Sequence, residues 1–427
     1  MQNLKKVGLI SLGCPKARVD SEFFLGKLMD AGYEITTPED ADIVIINTCA
    51  FIKPAEDESA EEIKAWLKAK SAGRVQKVGV VGCLVERWRS RLLRRFPDLD
   101  FVLGTDEFDL IDTAIAQNIK QIRNTPPQSV PSPKFLPRFL TTFPFAYVKI
   151  AEGCNRRCAF CTIPSIRGKH RFRPIEDILD EVASLATIGV KEIILVSQDL
   201  TLYPKLYQLI QELESVDVQW IRLLYLHPKG VNKKLVDAMA SNPKIVPYVE
   251  LPIQHISDRI LKLMGRAGGE KAVKKAVELL KTRIPEIFIR TEIIVGYPTE
   301  TDSEFQELLD YIEEVGFERI GVFKFWSEKG TRASKIEPKI PQDLIDERFD
   351  VANTVASIIM EKAQLSLLHR PIQTIVDFKF EDAIYGRTIY DAPEIDFKVI
   401  FKNFRKVKLG QILTLKPSSL DQLDLVV

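Results

Sequence analysis

Six cysteines carry the most direct chemical information in this sequence: Cys14, Cys49, Cys83, Cys154, Cys158 and Cys161, with no thiol after position 161. Three stand 35 and 34 residues apart within the first 83 positions, and three fall inside the eight-residue run CNRRCAFC. Disulfides are the simplest use of an even count, but they are rare in a reducing cytoplasm. Structural zinc asks for four ligands, and the chain has only four histidines, His170, His227, His255 and His369, so neither triad has an obvious fourth. Three thiolates and a vacancy suit an iron–sulfur cluster better. A cubane [4Fe–4S] cluster on Cys154, Cys158 and Cys161 would leave one of its irons without a protein ligand, open to a small molecule. Zinc, and a set of buried inert thiols, stand as the competing readings.

The elements around the cysteines say where such sites would lie. Each of the first three closes a short apolar run: VGLISLGC at Cys14, ADIVIINTC at Cys49 and VQKVGVVGC at Cys83. Helical spacing in Ser21–Gly32 and Glu58–Lys70 fills the intervals. This β-α-β-α-β alternation predicts a doubly wound parallel sheet over residues 1–124, with the three cysteines at the carboxyl ends of strands, where α/β sheets bind ligands. Residues 125–145 hold six prolines and read as an extended linker. Strand-like runs then recur at 146–153, 192–199, 220–226, 246–252, 287–296 and 319–325, with helices such as 174–189 between them. Six βα units over 146–341 predict an open, partial barrel of the TIM kind, with Cys154 at the end of its first strand and the active site on the carboxyl rim. Residues 342–369 read as one long connecting helix, and 370–427 as short strands of a small antiparallel β-barrel.

Composition narrows the class of protein. The chain has 427 residues, 45% apolar and 28% charged, the values of an ordinary globular protein with large cores. Sixty Lys and Arg against 59 Asp and Glu give a net charge of +1, so there is no bulk attraction to nucleic acid or membrane. The opening MQNLKKVGLISLGC has too short an apolar run for a signal peptide or a membrane span, which points to the cytoplasm.

Cys154-x3-Cys158-x2-Cys161, with Phe160 just before the third cysteine, resembles the radical S-adenosylmethionine (SAM) superfamily. In that superfamily the open iron chelates SAM. Reduction of the cluster then breaks the S–C5′ bond, and the 5′-deoxyadenosyl radical takes hydrogen from an unactivated carbon. The resemblance implies further SAM contacts from Ser197-Gln198-Asp199 after the second strand and from Glu292–Gly296 at the fifth, where Gly296 lets backbone approach the adenine. Polar surface or helix capping is the plainer use of Gln198.

The first triad narrows the resemblance. LGCPKARVDSE, NTCAFI and GCLVERW are similar to the auxiliary-cluster motifs of the methylthiotransferases, and the three-part layout, ending in a TRAM-like barrel, matches that family over essentially the whole chain. This implies a second [4Fe–4S] cluster on Cys14, Cys49 and Cys83 that presents the sulfur to be methylated and inserted, a sulfur donor, and a reduced protein as electron donor. CTIPSIRG, VSQDLTLY, YLHP, PIQHISDRILKLMGR, IIVGYPTET and DAPEID (391–396) resemble the RimO branch, which modifies an aspartate of small-subunit ribosomal protein twelve, rather than the branch that modifies adenosine in tRNA. From Arg370 onward nine basic residues meet eight acidic ones, so this barrel has little net attraction for tRNA. The acids of DAPEID are expected to form an edge that docks a basic protein, while KNFRKVK (402–408) points toward RNA. Two stretches depart from the branch: FKFWSEKGT places Phe325 and Trp326 where a tyrosine–serine pair is usual, and DQLDLVV leaves the final strand open to question.

Overall fold

The computed structural model describes residues 5–123, 125–381, 383–402 and 406–427. Its first sheet contains β1 (Lys6–Ser11), β2 (Glu34–Ile35), β3 (Ile43–Thr48), β4 (Lys77–Gly82) and β5 (Phe101–Leu103), all parallel in the order β2-β1-β3-β4-β5. Side chains alternate across a strand, so Ile43 and Ile45 of β3 enter one core while Val44 and Ile46 enter the other. Helices therefore cover both faces. Helices α1 (Pro15–Asp30) and α5 (Ile111–Gln117) lie on the first, whereas α2 (Lys53–Ser71), α3 (Cys83–Trp88) and α4 (Ser90–Arg95) lie on the second.

The second sheet is the expected open barrel. Its strands are β6 (Phe145–Lys149), β9 (Glu192–Val196), β10 (Trp220–Leu223), β11 (Ile245–Glu250), β12 (Phe288–Val295) and β13 (Arg319–Lys324), parallel and paired in sequence order. Helices α7 (Ile175–Thr187), α8 (Leu206–Glu212), α9 (Lys233–Ser241), α10 (Asp258–Leu263), α11 (Gly269–Arg283) and α12 (Asp302–Val315) cover its outer face. The first strand differs from the continuous run 146–153. The chain leaves the sheet after Lys149, and β7 (Ala151–Glu152) pairs instead with β8 (Arg171–Phe172), closing the loop that carries Cys154, Cys158, Cys161 and α6 (Ile163–Ile166).

The proline-rich stretch 125–145 has no regular element, yet it is no loose tether. Arg138 binds Glu22 of α1 at 2.6 Å, pairs with Glu181 of α7 and donates to the Tyr147 carbonyl at 2.7 Å, strapping the first sheet to the barrel.

Helix α13 (Gln342–Leu365) packs Ala352, Ala356 and Ile359 into the barrel core. The terminal sheet follows, with β14 (Ile372–Phe380), β15 (Ala383–Thr388), β16 (Val399–Phe401), β17 (Ile412–Leu415), β18 (Ser419–Asp421) and β19 (Asp424–Val426) in the order β17-β14-β15-β16-β19-β18. It is antiparallel except for the parallel pair β16 and β19. DQLDLVV does supply a last strand, through a tight turn at Gln422 (φ 57°).

The acidic edge expected at DAPEID is not an edge. Asp391 is buried and accepts from Arg319 at 2.6 Å and from the Thr388 hydroxyl at 2.5 Å. Asp396 accepts from the Tyr248 hydroxyl at 2.7 Å and from Arg290 at 2.9 Å. Glu394, the most open of the three, still pairs with Arg18 at 2.9 Å and the Tyr147 hydroxyl at 2.9 Å. The cause lies in the barrel, whose strands carry Arg222, Arg290 and Arg319 on the side away from the helices. Buried guanidinium groups require anions. Glu192 answers Arg222 at 2.7 Å and also pairs with Arg387 of β15, which reaches Asp377 at 2.9 Å. The DAPEID segment is thus a bolt between barrel and terminal sheet. Of KNFRKVK, positions 403–405 lie outside the described residues.

Removing one member of a buried pair strands the other charge, at a cost of about 3–5 kcal/mol. Asp391→Ala should therefore lower the thermal midpoint and strip hydrogen-exchange protection from residues 370–427, with the change concentrated there.

Candidate active site between two cysteine triads

Cys14 precedes the first turn of α1, Cys49 follows β3 and Cys83 opens α3 directly after β4. The three come from neighbouring strands and meet at one carboxyl edge. Gly82 makes the last placement possible: its φ is 95°, and a Cβ there would stand 2.2 Å from Asn47 Oδ1. The Ser59 hydroxyl donates to the Cys49 carbonyl at 2.8 Å and accepts from its N–H at 3.1 Å. Burial pushes the Cys83 thiol up to about 12, against the opposing pull of Arg167, whose Nη2 lies 3.1 Å from its sulfur. Burial raises Cys49 as well. At Cys14 burial is outweighed by Lys16, Arg167 and the backbone N–H groups of Ala17 and Lys16, and its thiol titrates below the usual value.

The second triad sits in the loop between β7 and α6. Backbone bonds tie it down: Cys154 N–H to Gly168 O at 3.2 Å, Ala159 N–H to Met264 O at 2.7 Å and Cys161 N–H to Cys158 O at 3.3 Å. Burial drives Cys154 up to about 11 and Cys161 up to about 12. Among the described residues no three His, Cys, Asp or Glu side chains are grouped to hold a single metal ion. Ligands on separate corners of a cubane stand farther apart than those of one ion, and two sets of three thiols, which lose their protons on binding metal, are a donor set that a multi-iron cluster fits.

Of the residues expected around SAM, Phe160 is half-buried against the barrel core. The Gln198 Nε2 donates to Glu152, while its Oε1 is buried without a partner among the described residues, a free acceptor aimed at no protein group. Capping belongs to its neighbour Asp199, whose carboxylate accepts from the Thr201 N–H at 2.9 Å. Cys161 and Gly296 line one cavity of about 1070 Å³, walled also by Phe325 and Trp326 and by Arg87 and Trp88 of α3. The crowding at Gly296 (φ 75°) comes from α13: a Cβ would stand 2.5 Å from Ile345 Cγ1.

A buried set of charges links the two triads. Arg167, already on Cys83, binds Asp20 of α1 at 2.6 Å and Glu152 of β7 at 3.1 Å. Lys149 bridges the same two acids, at 2.6 Å from Glu152, and Glu152 in turn accepts from Gln198. One guanidinium therefore touches the first triad and the group that holds Gln198 on the barrel rim.

Residues 6–104 match the model of the uncharacterized protein family UPF0004, 148–312 the radical SAM superfamily and 370–427 the TRAM domain. Proteins named ribosomal protein uS12 methylthiotransferase RimO are similar end to end. That of Aquifex aeolicus is 40% identical, spanning 98% of this chain and 96% of the relative, and that of Acetivibrio thermocellus is 38% identical over 99% and 98%. The chain belongs to the RimO methylthiotransferase family. Among solved structures, the radical SAM methyltransferase TsrM from Kitasatospora setae shares the fold, with a TM-score of 0.57 at 16% identity over 78% of this chain and 77% of that one.

Against the RimO motifs, the residues that sequence reasoning passed over are charged groups and one tyrosine inside familiar segments. Asp20 stands in CPKARVDSE, Arg167 in CTIPSIRG, Tyr225 in YLHP and Lys149 in the apolar run AYVKIAEG, where a lone lysine was the one available signal. Glu250, at the end of β11, carried none. It is buried, and its Oε2 accepts from the Tyr225 N–H at 3.2 Å.

Burial, followed by the neighbouring Glu292, raises the Glu250 carboxyl to about 8. A raised acid takes its proton more readily in the folded state than in the unfolded, so its contribution is complete at low pH and is lost as pH climbs toward the folded value. Glu250→Gln should remove that loss: its thermal midpoint should match the parent near pH 4 and exceed it above pH 8.

Proposed function

We propose that this chain transfers a methylthio group to the β-carbon of an aspartate in ribosomal protein uS12, in the cytoplasm, with a sulfur donor and a reduced electron-donor protein as partners. The observation that carries the reading is the pair of cysteine triads on facing carboxyl edges, joined through Arg167 between Cys83 and Glu152. The names of full-length relatives support the substrate.

In this reading Cys154, Cys158 and Cys161 hold one [4Fe–4S] cluster, and Cys14, Cys49 and Cys83 hold an auxiliary one. When bound, the clusters and SAM supply the electron, the hydrogen-abstracting radical and the sulfur. The chain's own residues do the positioning. Gln198, fixed through Nε2 by Glu152, offers its unpaired Oε1 to a SAM donor, and Phe160 beside Cys161 and Gly296 on the Cys161 cavity are the other residues assigned to SAM. Cys161 opens on a cavity walled by both the barrel loops and α3, so the first sheet roofs part of the reaction space. Asp20, Lys149, Glu152 and Arg167 hold the roof in register. Positioning of this kind is worth several kcal/mol when two reactants must meet a third. The units 1–124, 146–341 and 370–427, joined by 125–145 and 342–369, are then auxiliary-cluster, radical and terminal domains.

Anaerobically reconstituted protein should hold about eight irons per chain, against about four if one cluster were missing. Replacing Cys154, Cys158 and Cys161 by alanine should abolish 5′-deoxyadenosine formation from SAM. Replacing Cys14, Cys49 and Cys83 should spare that cleavage and stop methylthio transfer, read by mass spectrometry of uS12. Methylthiolated adenosine in tRNA with unmodified uS12 would assign the chain to the other substrate.

A further inference from the structure

Lys16 is an exception in the contact between first sheet and barrel. It opens α1 two residues after Cys14 and is only 7% exposed. The other buried cations of this contact, Arg138, Lys149 and Arg167, are each clasped by two carboxylates. Among the described residues the Lys16 ammonium has no hydrogen-bonded or ion-paired partner. It rests on the face of Tyr225, 3.3 Å from the ring centroid. An ammonium that rests on an aromatic face and has no protein acceptor retains donors for an incoming one.

Tyr225 is itself held in an unusual state. It follows β10 at the barrel rim with φ 64°, a conformation rare for an aromatic residue. Two backbone bonds fix it there: its carbonyl accepts from the Leu200 N–H at 3.1 Å, and its N–H donates to Glu250. Backbone strain of this kind persists where the surroundings enforce it, commonly at functional sites. Here it turns the ring into a seat for the Lys16 ammonium. Glu250, an acid on the barrel side that feels the Lys16 charge, is pushed toward its neutral form by burial and by Glu292, which weakens its answer to that charge.

The location limits what the ammonium can receive. Lys16 comes from the helix that Cys14 precedes, and Tyr225 belongs to the rim that carries Gln198, so the charge lies between the two triads. On the function proposed above, the modified side chain must lie there too, and it is an aspartate. We propose that Lys16 anchors the carboxylate of the aspartate that is modified, with Tyr225 as its platform, and so sets the choice of an acidic side chain and the placing of the adjacent carbon. A charge-assisted hydrogen bond of this type is worth about 1.5–3 kcal/mol, or about 10- to 100-fold in affinity.

The test uses reconstituted full-length protein with uS12 carrying either the natural aspartate or an Asp→Asn change at that position. Lys16→Met keeps the apolar stem and removes the charge. Its iron and sulfide content should equal that of the parent, while the Kd for uS12 by calorimetry and the KM should rise about 10- to 100-fold. The parent should bind the asparagine form correspondingly weakly, Lys16→Met should bind both forms alike, and Lys16→Arg should recover part of the affinity. Unchanged Kd and KM in Lys16→Met, equal binding of both uS12 forms by the parent, or loss of iron from the variant would each overturn the assignment. These failures differ from failure of the function itself, in which the parent leaves the uS12 aspartate unmodified.

Discussion

The structure turns on one cluster of buried charges: Asp20, Lys149, Glu152 and Arg167, two anions and two cations with side chains almost wholly removed from water. A single buried ion would be prohibitive, and the set is tolerated because each member is neutralised and hydrogen-bonded by the others. Its members come from α1, from β6 and β7, and from the loop beyond the second triad. The first sheet cannot slide across the barrel without uncovering at least one of them. Apolar packing alone is non-directional and would hold the two units together without fixing their register. Ionic contacts add the direction that holds two separately built cysteine triads in register.

The same economy governs the far side of the barrel. Its strands present arginines where an ordinary core would present aliphatic side chains, and the terminal sheet returns acids to two of them, Asp391 to Arg319 and Asp396 to Arg290, while its own Arg387 reaches back to Glu192 of the barrel. A net charge of +1 conceals this arrangement, because each buried pair contributes nothing to the total.

This explains which parts were legible in the sequence. The cysteine spacing and the alternation of apolar runs with amphipathic segments are local patterns, and the six barrel strands and the three cysteine-bearing strands of the first sheet follow from them; the short edge strands β2 and β5, with two and three residues, carried too little pattern to be read. DAPEID shows the limit. Three acids in six residues read as a solvated acidic edge, since nothing local tells a charge with a distant arginine from a charge in water. Arg319 lies 72 residues from Asp391, and pairing over that separation is a property of the fold. Tyr225 and Lys16 were hidden for the same reason. Their meaning comes from a contact between separate units, and the conformation of Tyr225 is invisible until the backbone is known. The split of the first barrel strand into β6 and β7 was missed because both halves share one apolar pattern.

The bolt at Asp391–Asp396 has a consequence for biosynthesis. Chains emerge from the ribosome amino end first, so Arg222, Arg290 and Arg319 are all made before Asp391 and Asp396. Until the last stretch is released, the barrel holds guanidinium groups with part of their counter-charge missing, and its inner side cannot close as it does in the finished protein. Both cysteine triads are by then complete, the later of them ending at Cys161. The order of synthesis thus leaves an interval in which all the thiols are present and the interior is still open, and the arrival of the carboxyl-terminal sheet ends it.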